Sequence, residues 1–194
     1  MIHSCNRGLR LLEFFDIYFF HWIPEKAIWM GGHTLSWDAR CSGIYIGFGI
    51  GILYHLLFGG NAKHLPPLMI ILTISLLFTP LFLDVMTISY GFRPPSNGIR
   101  FLTGLLFGQA LSAYLYPSFI TLTVATGCEK SAIDKWYKIF ALLLTTAGAF
   151  LVKDLQNLVA YYILEALAVF GCLSLFTIII LGLYKSFVII GLKE

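Results

Sequence analysis

The chemistry of this chain is densest between His21 and Cys41. There His21, Glu25, Lys26, His33, Asp38, Arg40 and Cys41 precede an apolar run long enough to cross a bilayer. Ionisable groups at a membrane boundary need partners to offset their desolvation, so such a cluster marks a site or a structural clasp. His21, His33, Asp38 and Cys41 are donor types for a borderline divalent ion such as zinc. Asp38 and Cys41 stand one helical turn apart, although the whole set follows no established zinc spacing. Without a metal, Cys41 at a helix start beside Arg40 has the surroundings that activate a thiol, and His21 or Asp38 would do acid–base work. The plainer alternative is a salt-bridged cluster of Glu25, Lys26, Asp38 and Arg40.

Two carboxylates inside apolar runs extend the candidate set. Asp84 follows Pro80 by one turn, near the end of its run, with Arg93, Asn97 and Arg100 as candidate partners. It is either a stitch between helix ends or a further catalytic candidate. Arg40 and Arg100 are the candidates to bind an anionic headgroup. Glu165 lies five residues into the last apolar run with no evident partner, and with Asp84 it forms the pair a small transporter would use.

The elements that must position these groups follow from composition. Hydrophobic residues make up 58% of the 194 and charged ones 12%, against about a quarter charged in a soluble domain. A mean hydropathy of +0.83 agrees. The net charge of +3 is small and its cations are scattered, which sets nucleic acid aside. The expected fold is all-α, a polytopic transmembrane bundle forming one integral membrane domain over residues 1–194. Spans are expected near 40–58, 68–88, 100–122, 137–152 and 160–184, the fourth being the shortest.

The segment from Gly8 to Phe20 mixes Arg10, Glu13 and Asp16 with leucines and phenylalanines. It is expected to be an amphipathic or re-entrant helix, with a sixth span as the alternative. The first apolar stretch, Leu11 to Ile23, is broken by Glu13 and Asp16 and has no small-residue cleavage site after it, so no cleaved signal peptide is expected. Basic residues divide almost evenly between the two sides and leave orientation open. Cys5, Cys41, Cys128 and Cys172 show no disulfide framework, and Cys172 is expected to be a small core residue.

Gly43, Gly47 and Gly51 recur at four-residue spacing, with Gly49 beside them, and form a groove along one helix face. Such a groove admits a second backbone at close range, and Gly104 and Gly108 offer a matching surface. These faces are expected either to meet one another or to receive a membrane partner or a second copy. His55 extends the stripe and is expected at the interface.

These residues carry a resemblance to the membrane family called domain of unknown function 2085. Its first part is matched by His21, Pro24, Glu25, Lys26, Gly31, Gly32, Arg40, Cys41, Gly43, Tyr45 and Gly47. Its second part is matched by Asp84, Asn97, Arg100, Gly104 and Gly108, so the resemblance covers about residues 20–110. Phe20 and Asp38 stand where the family pattern has cysteines, and Lys26 where it has arginine. The joint loss of two cysteines implies that they act together in the family, as a metal pair or a disulfide. Asp38 retains a donor for a metal and Phe20 does not. The resemblance implies a membrane fold and a site at one face, and brings no reaction with it.

Three roles follow for a multi-pass protein in an unspecified membrane. The first is a structural or complex-forming subunit with the polar corner as a clasp. The second is a membrane-embedded enzyme acting on a lipid or isoprenoid-like substrate. The third is a small transporter using Asp84 and Glu165, which mostly aliphatic spans do little to support.

Overall fold

The computed structural model describes residues 24–60, 62–123 and 128–191. The expectations for residues 8–20 and for His21 lie outside them. A 3-10 turn, Pro24–Lys26, opens the described chain, followed by β1 (Ala27–Met30), β2 (His33–Asp38) and α1 (Ala39–Phe58). Then come β3 (Ala62–His64), α2 (Leu68–Leu76), α3 (Thr79–Ser89) and α4 (Asn97–Thr123). The last elements are β4 (Cys128–Ser131), α5 (Trp136–Val152) and α6 (Leu158–Gly191).

Among the described residues, four stretches are long and apolar enough to cross a membrane: Ala39–Phe58, Leu68–Ser89, Asn97–Thr123 and Leu158–Val188. The expected fourth of five spans, α5, is a shorter apolar helix of 17 residues. At about 1.5 Å per residue it reaches roughly 25 Å, at the low end of what a bilayer core requires. The second span is not one rod. Pro80, in the first turn of α3, cannot donate to the preceding helix. The chain tightens there, with Leu77 and Phe78 donating to Ile74 and Ser75 at 3.0 and 3.1 Å, three residues back.

The centre of the bundle is α1, and its small residues explain why. A Cβ on Gly43 would lie 3.1 Å from Gly104 Cα, and a Cβ on Gly104 would lie 2.5 Å from Arg40 O. Added carbons at Gly47 and Gly108 would collide with the carbonyl oxygens of Leu105 and Ile44. The expected meeting of the two glycine faces is therefore real and internal: α1 and α4 touch backbone to backbone. Gly49 does the same for α6, where its Cβ would lie 2.7 Å from Leu167 O. Small residues replace side-chain bulk with close van der Waals contact, the main adhesive between helices in lipid.

The fold also contains sheet that the all-α expectation omits. β1 and β2 pair antiparallel across Gly31 and Gly32, whose φ values are +53° and +83°. Two consecutive residues with positive φ make the tight turn that matches strand twist, and glycine adopts it without a Cβ clash. Met30, Leu35 and Trp37 point into the core with Phe101, Leu105 and Leu164, while Trp29 is 61% exposed. The hairpin thus lids one end of the bundle, with a tryptophan placed as at membrane interfaces. At the opposite end β3 and β4 pair in parallel, Ala62 with Cys128 and His64 with Ser131.

His55 departs from its interfacial expectation. Its exposure is 0%, and its ring stacks on Tyr116 with centroids 5.0 Å apart. Cys172 is buried in the core as expected.

Candidate functional site

The hairpin, the start of α1, the end of α3, the start of α4 and the α5–α6 connection share one end of the bundle. The antiparallel path of the helices puts them there, and a polar corner forms where they meet. Asp84 lies at its centre, 3% exposed. Arg40 Nη2 donates to Asp84 Oδ2 at 2.5 Å, and Arg93 Nη2 donates to the other oxygen, Oδ1. Arg93 Nε also donates to Thr87 Oγ1 at 3.0 Å. One buried carboxylate therefore ties α1, α3 and the α3–α4 connection, and both its oxygens are engaged by charge-assisted hydrogen bonds.

Arg93 was among the partners expected for Asp84; Arg40 was expected among Glu25, Lys26 and Asp38. The other two candidates act nearby. Asn97 donates to the backbone oxygens of Glu25 and Ala27 at 2.9 and 3.2 Å, fastening α4 to the base of β1. Arg100 reaches Asn97 Oδ1 only at 3.5 Å, and its buried Nε has no hydrogen-bond partner among the described residues.

Of the candidate metal ligands, Asp38 and Cys41 are neighbours at the start of α1, His33 stands away at the hairpin turn, and His21 lies outside the described residues. Asp38 caps α1: its Oδ1 accepts the Cys41 backbone N–H at 2.7 Å. Such a side chain satisfies a donor at a helix start and is typically worth about 1 kcal/mol. His33 is exposed at the hairpin turn and stacks on Tyr161 at 5.1 Å. Cys41 is a half-buried free thiol, and Arg40, its expected activator, directs its guanidinium at Asp84. Among the described residues no group of three His, Cys, Asp or Glu side chains is gathered where it could hold a metal ion.

Glu165, the other transporter candidate, belongs to the same face. Its Oε2 accepts the Ser36 backbone N–H at 3.3 Å and its Oε1 accepts the Ser36 hydroxyl. It pins the solvent edge of β2 to α6. Gln156 does the same at the turn, accepting from Gly31 N at 3.2 Å. Sequence reasoning missed Gln156, Ser36 and Thr87. The Gly-Gly pair between two short apolar stretches was the available signal for the hairpin they serve.

Three comparisons bear on this arrangement. A family model described as predicted membrane protein, domain of unknown function 2085, matches residues 20–114, the hairpin through most of α4. An uncharacterised protein of Methanothermobacter thermautotrophicus is 35% identical over 95 residues, covering 49% of this chain and 82% of that relative. One from Methanocaldococcus jannaschii is 29% identical over 102 residues, covering 53% of this chain and 64% of the relative, just under two thirds of its length. No solved structure matches the chain. The matched region contains all three residues of the Arg40–Asp84–Arg93 clasp and both glycine faces. With those segments shared, the chain belongs to the domain of unknown function 2085 family of multi-pass integral membrane proteins.

Proposed function

We propose that this protein is a non-catalytic, complex-forming membrane subunit whose polar corner fixes the shape of one bilayer-facing end. The observation that carries this reading is the engagement of Asp84, the one buried carboxylate among the described residues. Both its oxygens serve as anchors for arginines from other segments, so the group is held in a structural role. A general base needs its acceptor within hydrogen-bond reach of the substrate proton. Asp38 and Glu165 are likewise occupied in holding a helix start and a hairpin. With the central glycines turned inward, a partner would meet the exposed apolar faces of α5 and α6, which carry Phe140, Leu144, Leu173 and Ile180.

The test is native mass spectrometry of protein extracted gently from its own membrane. A second polypeptide or a second copy in fixed stoichiometry supports the reading. Single chains throughout, across several mild detergents, would overturn it.

A further inference from the structure

Beside the clasp, between the end of α3 and the start of α4, lies a groove of about 250 Å³. It is lined by Pro80, Leu83, Asp84, Thr87, Arg93 and Ile99. Its wall is apolar on one side, with Leu83 58% and Ile99 42% exposed toward the surroundings. Its polar end lies toward the last turn of α3, at the end of the candidate span Leu68–Ser89. The charge there is not balanced. Two guanidinium groups share a single carboxylate, so the cluster keeps a net positive charge.

The arrangement of that charge is directional. The Asp84 side chain is 1% exposed, whereas those of Arg40 and Arg93 are 27% and 26% exposed. The anion is therefore inside and the cations face out. Arg93 spends Nη2 on Asp84 and Nε on Thr87, which leaves Nη1 without a protein partner among the described residues. Among the described residues, the other carboxylates on this face do not answer it. Asp38 is on the α1 N-terminus, Glu165 on Ser36 and Asp154 on Lys153, while Glu25 is exposed on the 3-10 turn.

We propose that this groove binds an anionic phospholipid, with its phosphate on Arg93 and the upper part of one acyl chain along Pro80, Leu83 and Ile99. Arginine pairs with phosphate through a planar array of N–H donors, and phosphate is the anion present at this depth of a bilayer. A soluble anion would use the charge but not the apolar wall, whereas an uncharged lipid would use only the wall. The proposal is independent of whether the protein assembles with others.

The test titrates detergent-purified protein with phosphatidylglycerol, phosphatidylcholine or inorganic phosphate and reads the unfolding temperature. Phosphatidylglycerol is expected to raise it by about 5 °C when saturating, and the other two by far less. Leu83→Trp, which fills the groove without touching an ion pair, should abolish that rise. Ile99→Trp fills it from the opposite wall and serves if the first variant does not fold. An equal rise with phosphatidylcholine, a full rise with phosphate alone, or an undiminished rise in the folded tryptophan variant would each overturn the proposal.

Discussion

Arg40 and Asp84 are 44 positions apart in sequence and meet at 2.5 Å across two helices, with Arg93 completing the same carboxylate. This contact joins the first candidate span to the second at the end of the bundle that holds the hairpin. Its energetics are asymmetric. Assembling the ions gives a modest net gain, whereas removing one leaves the others buried without compensation.

Asp84→Asn should therefore destabilise the protein by about 3 kcal/mol, the low end for a broken buried pair because both arginines keep some exposure. Replacing all three residues together, as Arg40→Met, Asp84→Leu and Arg93→Met, should recover most of that loss. Thermal unfolding in nanodiscs measures both variants. A triple variant no better than Asp84→Asn would mean the corner does more than clasp.

Glycines at the α1–α4 contact and on the outer face of α5 should respond in opposite directions. Gly47→Ala places its Cβ against the Leu105 carbonyl, so the helices must separate, at a cost of about 1–3 kcal/mol or more. Gly148 has open space where its Cβ would go. Gly148→Ala should be neutral or stabilising by up to about 1 kcal/mol, since alanine loses less backbone entropy in a helix. Denaturation of the two variants side by side decides it.

His55 is fully buried, and neither ring nitrogen has a hydrogen-bond partner among the described residues. Buried polar atoms without partners cost about 1–3 kcal/mol each in protein contexts. His55→Phe preserves the stacking on Tyr116 and removes that cost, so it should raise the unfolding temperature. A clear fall would reveal a partner for the imidazole and a role beyond packing.

The hairpin depends on α6 through Ser36 and Glu165. Glu165→Gln should leave the spans intact while speeding backbone amide exchange from Trp29 to Ser36. In a double-mutant cycle with Ser36→Ala the two effects should be strongly non-additive, because both act on the bond between the Ser36 hydroxyl and Glu165. The transporter alternative predicts instead that Glu165→Gln abolishes flux in liposomes with exchange unchanged.

Much of this fold could be read directly from the residues. Long apolar runs have few stable states in lipid besides helices, because every backbone donor needs a partner within the segment. That fixed the spans, and the glycine spacing fixed which helix faces could touch. Gly59 and Gly60 likewise marked the end of α1, where Gly59 N–H closes on His55 O at 2.7 Å. The polar corner was also foreseeable, since charged residues cluster at the ends of the runs and at one face.

What only the tertiary structure decided was pairing. Arg40 had three charged neighbours, Glu25, Lys26 and Asp38, within its own stretch, yet it reaches to Asp84; Glu165 had no evident partner and turns to a strand edge. His55 looked interfacial and is enclosed by Tyr116. Local sequence determines hydrophobic burial, because burial follows from each residue's own chemistry and the helical period. An ion pair or hydrogen bond is decided by which ends of distant helices arrive within about 3 Å, and that depends on the crossing of α1 and α4 set by the glycines between them.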